Sequence, residues 1–73
     1  MLETFGKRLR QAREAKRMSI KMLSQKSGVS VSMIYSNEKG EVHPNLYTAV
    51  AVADVLGVSL DWLAGRESDG RNV

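Results

Sequence analysis

Residues 19–40 read "SIKMLSQKSGVSVSMIYSNEKG", and this stretch decides the fold. Ser19 precedes a short periodic segment, Ile20 to Ser27, and Gly28 follows it. Ser30 then precedes a second short segment that runs to about Lys39, and Gly40 follows that one. Serine caps a helix start by accepting a backbone N–H, and glycine ends one by taking the left-handed conformation. The stretch is therefore two brief helices around a tight glycine turn. Few supersecondary units use helices so short.

The same punctuation recurs outward. Asn45, after Pro44, caps a fourth helix from Leu46 to Leu56, which Gly57 ends. Ser59 caps a fifth, Leu60 to Ala64, ended by Gly65. Upstream, Phe5, Leu9 and Ala12 fall at i, i+4 and i+7, the apolar face of a first helix from about Thr4 to Lys16, with Thr4 as candidate cap. No segment alternates with period two. The expected fold is all-α, a compact five-helix domain over residues 1–66, followed by a flexible tail at 67–73.

Composition narrows the chemistry. A chain of 73 residues holds one small core and buries only about 60% of its unfolded surface. There is no cysteine and one histidine, His43, so disulfides, thiolate metal sites and a zinc site are excluded. No apolar run approaches the roughly 20 residues of a membrane span, and "MLETFGKRLR" has no signal-peptide core, so a cytoplasmic protein is expected. No cofactor is implied. Asp54, Asp61 and Ser59 read as helix surface and caps, and no nucleophile, base and orienting group occur together, so no catalysis is expected.

Charge is uneven. Residues 1–40 carry nine Lys/Arg against three Glu, a local +6, whereas residues 41–73 carry two Arg against five acids, a local −3. A localised positive field suits a polyanion partner, although a solvated basic helix has the same composition.

With "FGKRLRQARE", "MSIKMLSQKSGVSVSMIYSNEKG" and "HPNLYTAVAVADVLGVSLDWL" in this order, the chain resembles the Cro and phage-repressor (Xre-like) helix-turn-helix family from about Phe5 to Gly65. The anchors have physical reasons of their own. Ser24 is small where two helices cross, Gly28 reverses the chain, Val29 plugs the space beneath the turn, and Ile34 faces the core. On a helical wheel Val31, Ser32, Tyr35, Ser36 and Lys39 share the side opposite Ile34 and Asn37. The resemblance implies a sequence-specific transcriptional regulator, most nearly a phage- or prophage-type repressor, with the third helix in the DNA major groove.

By resemblance, Val31, Ser32 and Ser36 reach base edges. Serine donates or accepts at several bases and valine only packs, so none supplies a bidentate contact worth about 1–3 kcal/mol of discrimination. DNA shape and bridging water then carry more of the recognition. Phosphate contacts are expected from Ser19 and Ile20 at a helix start, flanked by Lys21, Tyr35, Lys39, His43 and Asn45, with Arg10 also in reach. His43 reads equally as an ordinary loop residue. The resemblance also implies an internal ion pair between Arg13 and Glu38 that ties the first helix to the third.

Three residues depart from the family pattern. Ile20 stands where Gln commonly grips phosphate, and Ser24 where Ala is usual. Asn37 stands at an apolar core position and needs a buried partner or exposure to solvent.

The fourth helix, "LYTAVAVADVL", is apolar nearly all round and so must be covered on more than one side. Leu46, Ala49, Ala53 and Leu56, with Val52, form its best core stripe, leaving Val50 and Val55 less explained. Trp62, with Leu60, Val58 and Val55, is expected at or beside a homodimer contact, or else Trp62 closes the monomer core. A second function class, an antitoxin-like or peptide-controlled module with a toxin or peptide partner, draws on the same apolar helix.

Overall fold

The computed structural model describes residues 2–67, with side chains from residue 4 onward. Five helices follow one another: α1 (Leu2–Ala15), α2 (Ile20–Ser27), α3 (Val31–Glu38), α4 (Leu46–Leu56) and α5 (Leu60–Leu63). The expected tail lies outside the described residues except for Glu67.

Four helices begin on the caps expected from sequence. Ser19, Ser30 and Ser59 hydroxyls and the Asn45 side-chain oxygen accept the N–H of Met22, Met33, Trp62 and Thr48 at 2.7–3.1 Å. Each bond satisfies a donor that has no partner within the helix. α1 differs, because it begins before Thr4, which lies inside the helix and does not cap it.

The end of α1 also breaks the glycine rule. Arg17 takes φ +58°, the one described non-glycine residue with positive φ. Its N–H bonds Glu14 O at 2.9 Å, and the next N–H, of Met18, reaches Arg13 O at 3.1 Å. This pair of bonds is the Schellman closure usually built on glycine. α3 closes in the same way with glycine: Gly40 N–H bonds Asn37 O, and Glu41 N–H bonds Ser36 O.

Each helix sends one fully buried apolar side chain to a common centre: Leu9, Leu23, Ile34, Val52 and Leu63. Phe5, Ala12, Val29, Ala53, Leu56 and Trp62 surround them. The expected stripe of α4 holds at Val52, Ala53 and Leu56, which are buried, and departs at its first residue. Leu46 is 73% exposed, while Val52 and Thr48 are buried and Ala49 is half-buried. A helix apolar on every side gives periodicity nothing to lock onto, so its neighbours choose the buried face.

α1 is the central strut, contacting α3, α4 and α5. Its approach to α3 is backbone to backbone: a Cβ built on Gly6 would lie 2.4 Å from Asn37 O and 2.7 Å from Glu38 O. At the other side, Arg8 Nη1 donates to the carbonyls of Trp62 (2.7 Å) and Glu67, and its guanidinium lies 5.1 Å from the Trp62 ring centroid. Glu67 also accepts the Ser59 hydroxyl at 2.7 Å. The packed body thus includes Glu67, which the sequence reading assigns to the tail.

Candidate nucleic-acid interface

The outer face of α3 is built by its own sequence. Ile34 and Asn37 point inward and are fully buried. A helix of 3.6 residues per turn then turns Val31, Ser32, Tyr35 and Lys39 outward. All four are exposed, Val31 by 48% and Tyr35 by 51%, while Ser36 is half-buried. Lys39 Nζ lies 3.5 Å from the Tyr35 hydroxyl and 5.3 Å from its ring centroid, so the cation is set over the aromatic face one turn back.

Beside this face is a cleft of about 350 Å³ lined by Arg10, Arg13, Ile20, Tyr35, Glu38 and Lys39. It gathers the C-terminal half of α1, the start of α2 and the end of α3. Arg10 is exposed and pairs with Glu14 at 3.1 Å, a contact worth little against solvent. At the α2 start, Ser19 Oγ is committed to Met22. The first N–H groups of α2 still point out of the helix, and their dipole favours an anion there. Ile20 is half-buried and packs on the core, so the side chain that replaces a phosphate-gripping glutamine anchors the helix start instead.

Arg13 and Glu38 form the floor of the cleft. Arg13 Nε and Nη2 reach the two Glu38 oxygens at 2.7 and 3.0 Å, and Nη1 donates to Met18 O at 2.7 Å. Only 12% and 7% of the two side chains are exposed. The hydrogen bonds that Arg13 donates to the Glu38 carboxylate hold the Arg13 pKa above its ordinary value, outweighing the burial that would lower it. One guanidinium thereby joins α1, the α1–α2 turn and the end of α3.

Asn37 is half satisfied. Its Nδ2 donates to Val42 O at 2.9 Å, and Oδ1 is buried with no partner among the described residues. A stranded buried acceptor costs about 1–3 kcal/mol.

The expected phosphate set divides in two. Ile20, Tyr35 and Lys39 share the cleft, with Ser19 and Lys21 exposed at its α2 end. His43 and Asn45 instead line a separate apolar recess of about 280 Å³ with Phe5, Leu46, Ala49 and Leu60, and the Asn45 side chain is occupied in capping α4. The expected dimer set divides as well. Leu60 is exposed, Val55 and Val58 are half-buried against the core, and Trp62, 7% exposed, is turned into the monomer under Arg8. The large apolar side chains that α4 leaves in solvent are Leu46, Tyr47 and Val50. Their position directly after the cap at Asn45 was the available signal for the first two. Nothing local in the sequence marks the roles of Gly6, Arg8 and Arg17, the two arginines reading only as charge around the first helix.

Comparison with known proteins agrees with this geometry. The family profile described as Helix-turn-helix (HTH_3) matches residues 9–63. Over 41 residues, 56% of the chain, the sequence is 44% identical to an HTH-type transcriptional regulator of Haemophilus influenzae. The match spans only 17% of that relative's length. Among solved structures, the restriction-modification controller protein C.AhdI from Aeromonas hydrophila superposes with a TM-score of 0.80 at 32% identity, covering 85% of this chain and 94% of that one. An HTH_3 family transcriptional regulator from Vibrio cholerae superposes with a TM-score of 0.79 at 25% identity, covering 89% of this chain and 36% of that one. Matched over most of its length and carrying the two capped helices around Gly28, the chain belongs to the helix-turn-helix (HTH_3) family.

Proposed function

We propose that this chain is a sequence-specific DNA-binding regulator that lays α3 in the major groove and acts as a homodimer on operator DNA. The observation that carries the reading is the joining of the exposed α3 face to the cleft of Arg10, Ile20, Tyr35 and Lys39. Groove reading and phosphate holding then fall side by side on one surface. Val31, Ser32 and Ser36 meet base edges. The α2 start with Ser19, Ile20 and Lys21, flanked by Arg10, Tyr35 and Lys39, grips the backbone. The Arg13–Glu38 pair orients α3 from beneath and touches no DNA.

The dimer surface of this proposal differs from the one expected from sequence. Exposed Leu46, Tyr47, Val50 and Leu60 form a neighbouring apolar group on α4 and α5, and a second copy covers them through an isologous contact. The body measures 27 × 23 × 19 Å. Half-sites one DNA turn apart require the two α3 helices about 34–36 Å apart, the spacing that this dimer has to supply. Occupying promoter DNA in this way is repression of the phage type. The likeness to a restriction-modification controller supports the broader class of regulator. The same apolar group favours a second reading, in which a toxin or peptide occupies it.

Fluorescence anisotropy with labelled duplexes tests the first reading. Neutralising several phosphates makes affinity fall steeply with salt. Absence of duplex binding at micromolar protein in about 50 mM salt would end the DNA reading. Sedimentation separates the two occupants, because a chain that stays monomeric at tens of micromolar, free or on DNA, has no use for the patch as a dimer face.

A further inference from the structure

The last turn of α3 is held at three places, and the Arg13–Glu38 pair is only one of them. The second is Gly6, where the α1 backbone lies against the Asn37 and Glu38 carbonyls. The third is Asn37, fully buried, whose amide bonds the Val42 carbonyl across the loop that leaves α3. An apolar side chain of similar volume would fill that space without stranding Oδ1. What the amide adds is a fixed exit for the chain at the end of the recognition helix.

We propose that Gly6 and Asn37 are positioning residues that set the pose of α3 in the groove, an inference that rests on the DNA-binding reading. The geometry gives the sensitivity. A Cβ at Gly6 meets Asn37 O at 2.4 Å, and ordinary contact begins near 3.4 Å, so α3 must retreat by about 1 Å. Hydrogen bonds to base edges operate over about 2.7–3.2 Å and do not survive a displacement of that size. α3 has 8 residues and no long side chain among Val31, Ser32 and Ser36 to absorb the shift. Phosphate contacts made from α2 and by flexible Lys39 tolerate it. The pose therefore governs discrimination between sequences more than it governs attraction to DNA.

The test compares a duplex enriched from a random pool with a scrambled duplex of equal length, each titrated over a salt series. For Gly6→Ala we expect retained helical circular dichroism, unchanged affinity and salt slope on the scrambled duplex, and about a tenfold loss on the enriched one. Asn37→Leu, which keeps the branched shape of the side chain and removes the Val42 bond, should reduce the same ratio. It decides the question alone if Gly6→Ala does not fold. Val52→Ala is the control, a core truncation on α4 that lowers thermal stability and leaves the ratio at the wild-type value. Folded variants with a wild-type ratio overturn the proposal, as does an equal fall in Val52→Ala. A wild type that enriches no sequence overturns base reading itself, and this inference with it.

Discussion

Removing the Glu38 carboxylate should leave the protein near the edge of folding. The Arg13 guanidinium is 12% exposed and gives two of its hydrogen bonds to Glu38. In Glu38→Ala those donors are left at the floor of the cleft without their counter-charge, and Arg13 stays charged because a guanidinium does not lose its proton in a protein. Breaking a buried pair from one side costs about 3–5 kcal/mol. A folded chain of 73 residues has about 4–11 kcal/mol to lose, at roughly 0.05–0.15 kcal/mol per residue. The single variant therefore gives up between about a quarter and all of the stability. Replacing both partners with apolar groups, Arg13→Met with Glu38→Leu, removes the charge along with its counter-charge and should return to within about 2 kcal/mol of wild type. Urea denaturation followed by circular dichroism at 222 nm measures both, with the slope against urea checked for constancy. A Glu38→Ala loss below about 1 kcal/mol would place the pair in the class of exposed ion pairs and refute the buried-pair reasoning.

Three further outcomes follow from other parts of the molecule. Arg17 holds φ +58°, so Arg17→Gly should raise stability by about 0.5–1 kcal/mol, seen as a higher midpoint in thermal unfolding; a lower midpoint would mean that the arginine side chain is holding the turn. Lys39→Ala should weaken binding to every duplex and reduce the salt slope by about one, whereas Ser32→Ala with Ser36→Ala should alter sequence preference at constant slope; the opposite pattern would exchange the two roles. Leu46→Glu places a charge in the centre of the exposed apolar group and should yield a monomer by sedimentation with unchanged circular dichroism; a persistent dimer would move the interface elsewhere.

Local chemistry made most of this fold legible. Ser19, Ser30, Asn45 and Ser59 start their helices by bonds to residues three ahead, and such short-range bonds leave a mark in the sequence. The glycine closures at residues 28, 40, 57 and 65 do the same. What sequence concealed depends on distant neighbours. Gly6 reads as a weak point in a helix until the α3 carbonyls are seen against it. Leu46 left the expected core stripe because α4 offers no polar face to set its phase, and of the two places open to Trp62 it takes the monomer core, where Arg8 reaches over the indole from α1. Within the interface, α3 matched its helical wheel, since one residue at either end cannot shift eight. His43 and Asn45 departed from the cleft because the loop after Gly40 is placed by tertiary contacts, Asn37 to Val42 among them.

The brevity of α3 limits how much this protein can say about an address. Eight residues at about 1.5 Å each span about 12 Å, and at about 3.4 Å per base pair that is three to four steps of DNA. In the proposed dimer, a symmetric pair would inspect about eight base pairs directly, a word that chance supplies once in roughly 65,000 positions, or some fifteen times among about a million competing sites. Direct letters alone do not single out one promoter. The remaining information has to be stored in the gap between the two words and in how readily the duplex bends across it, quantities set by the interface between copies and by the DNA itself.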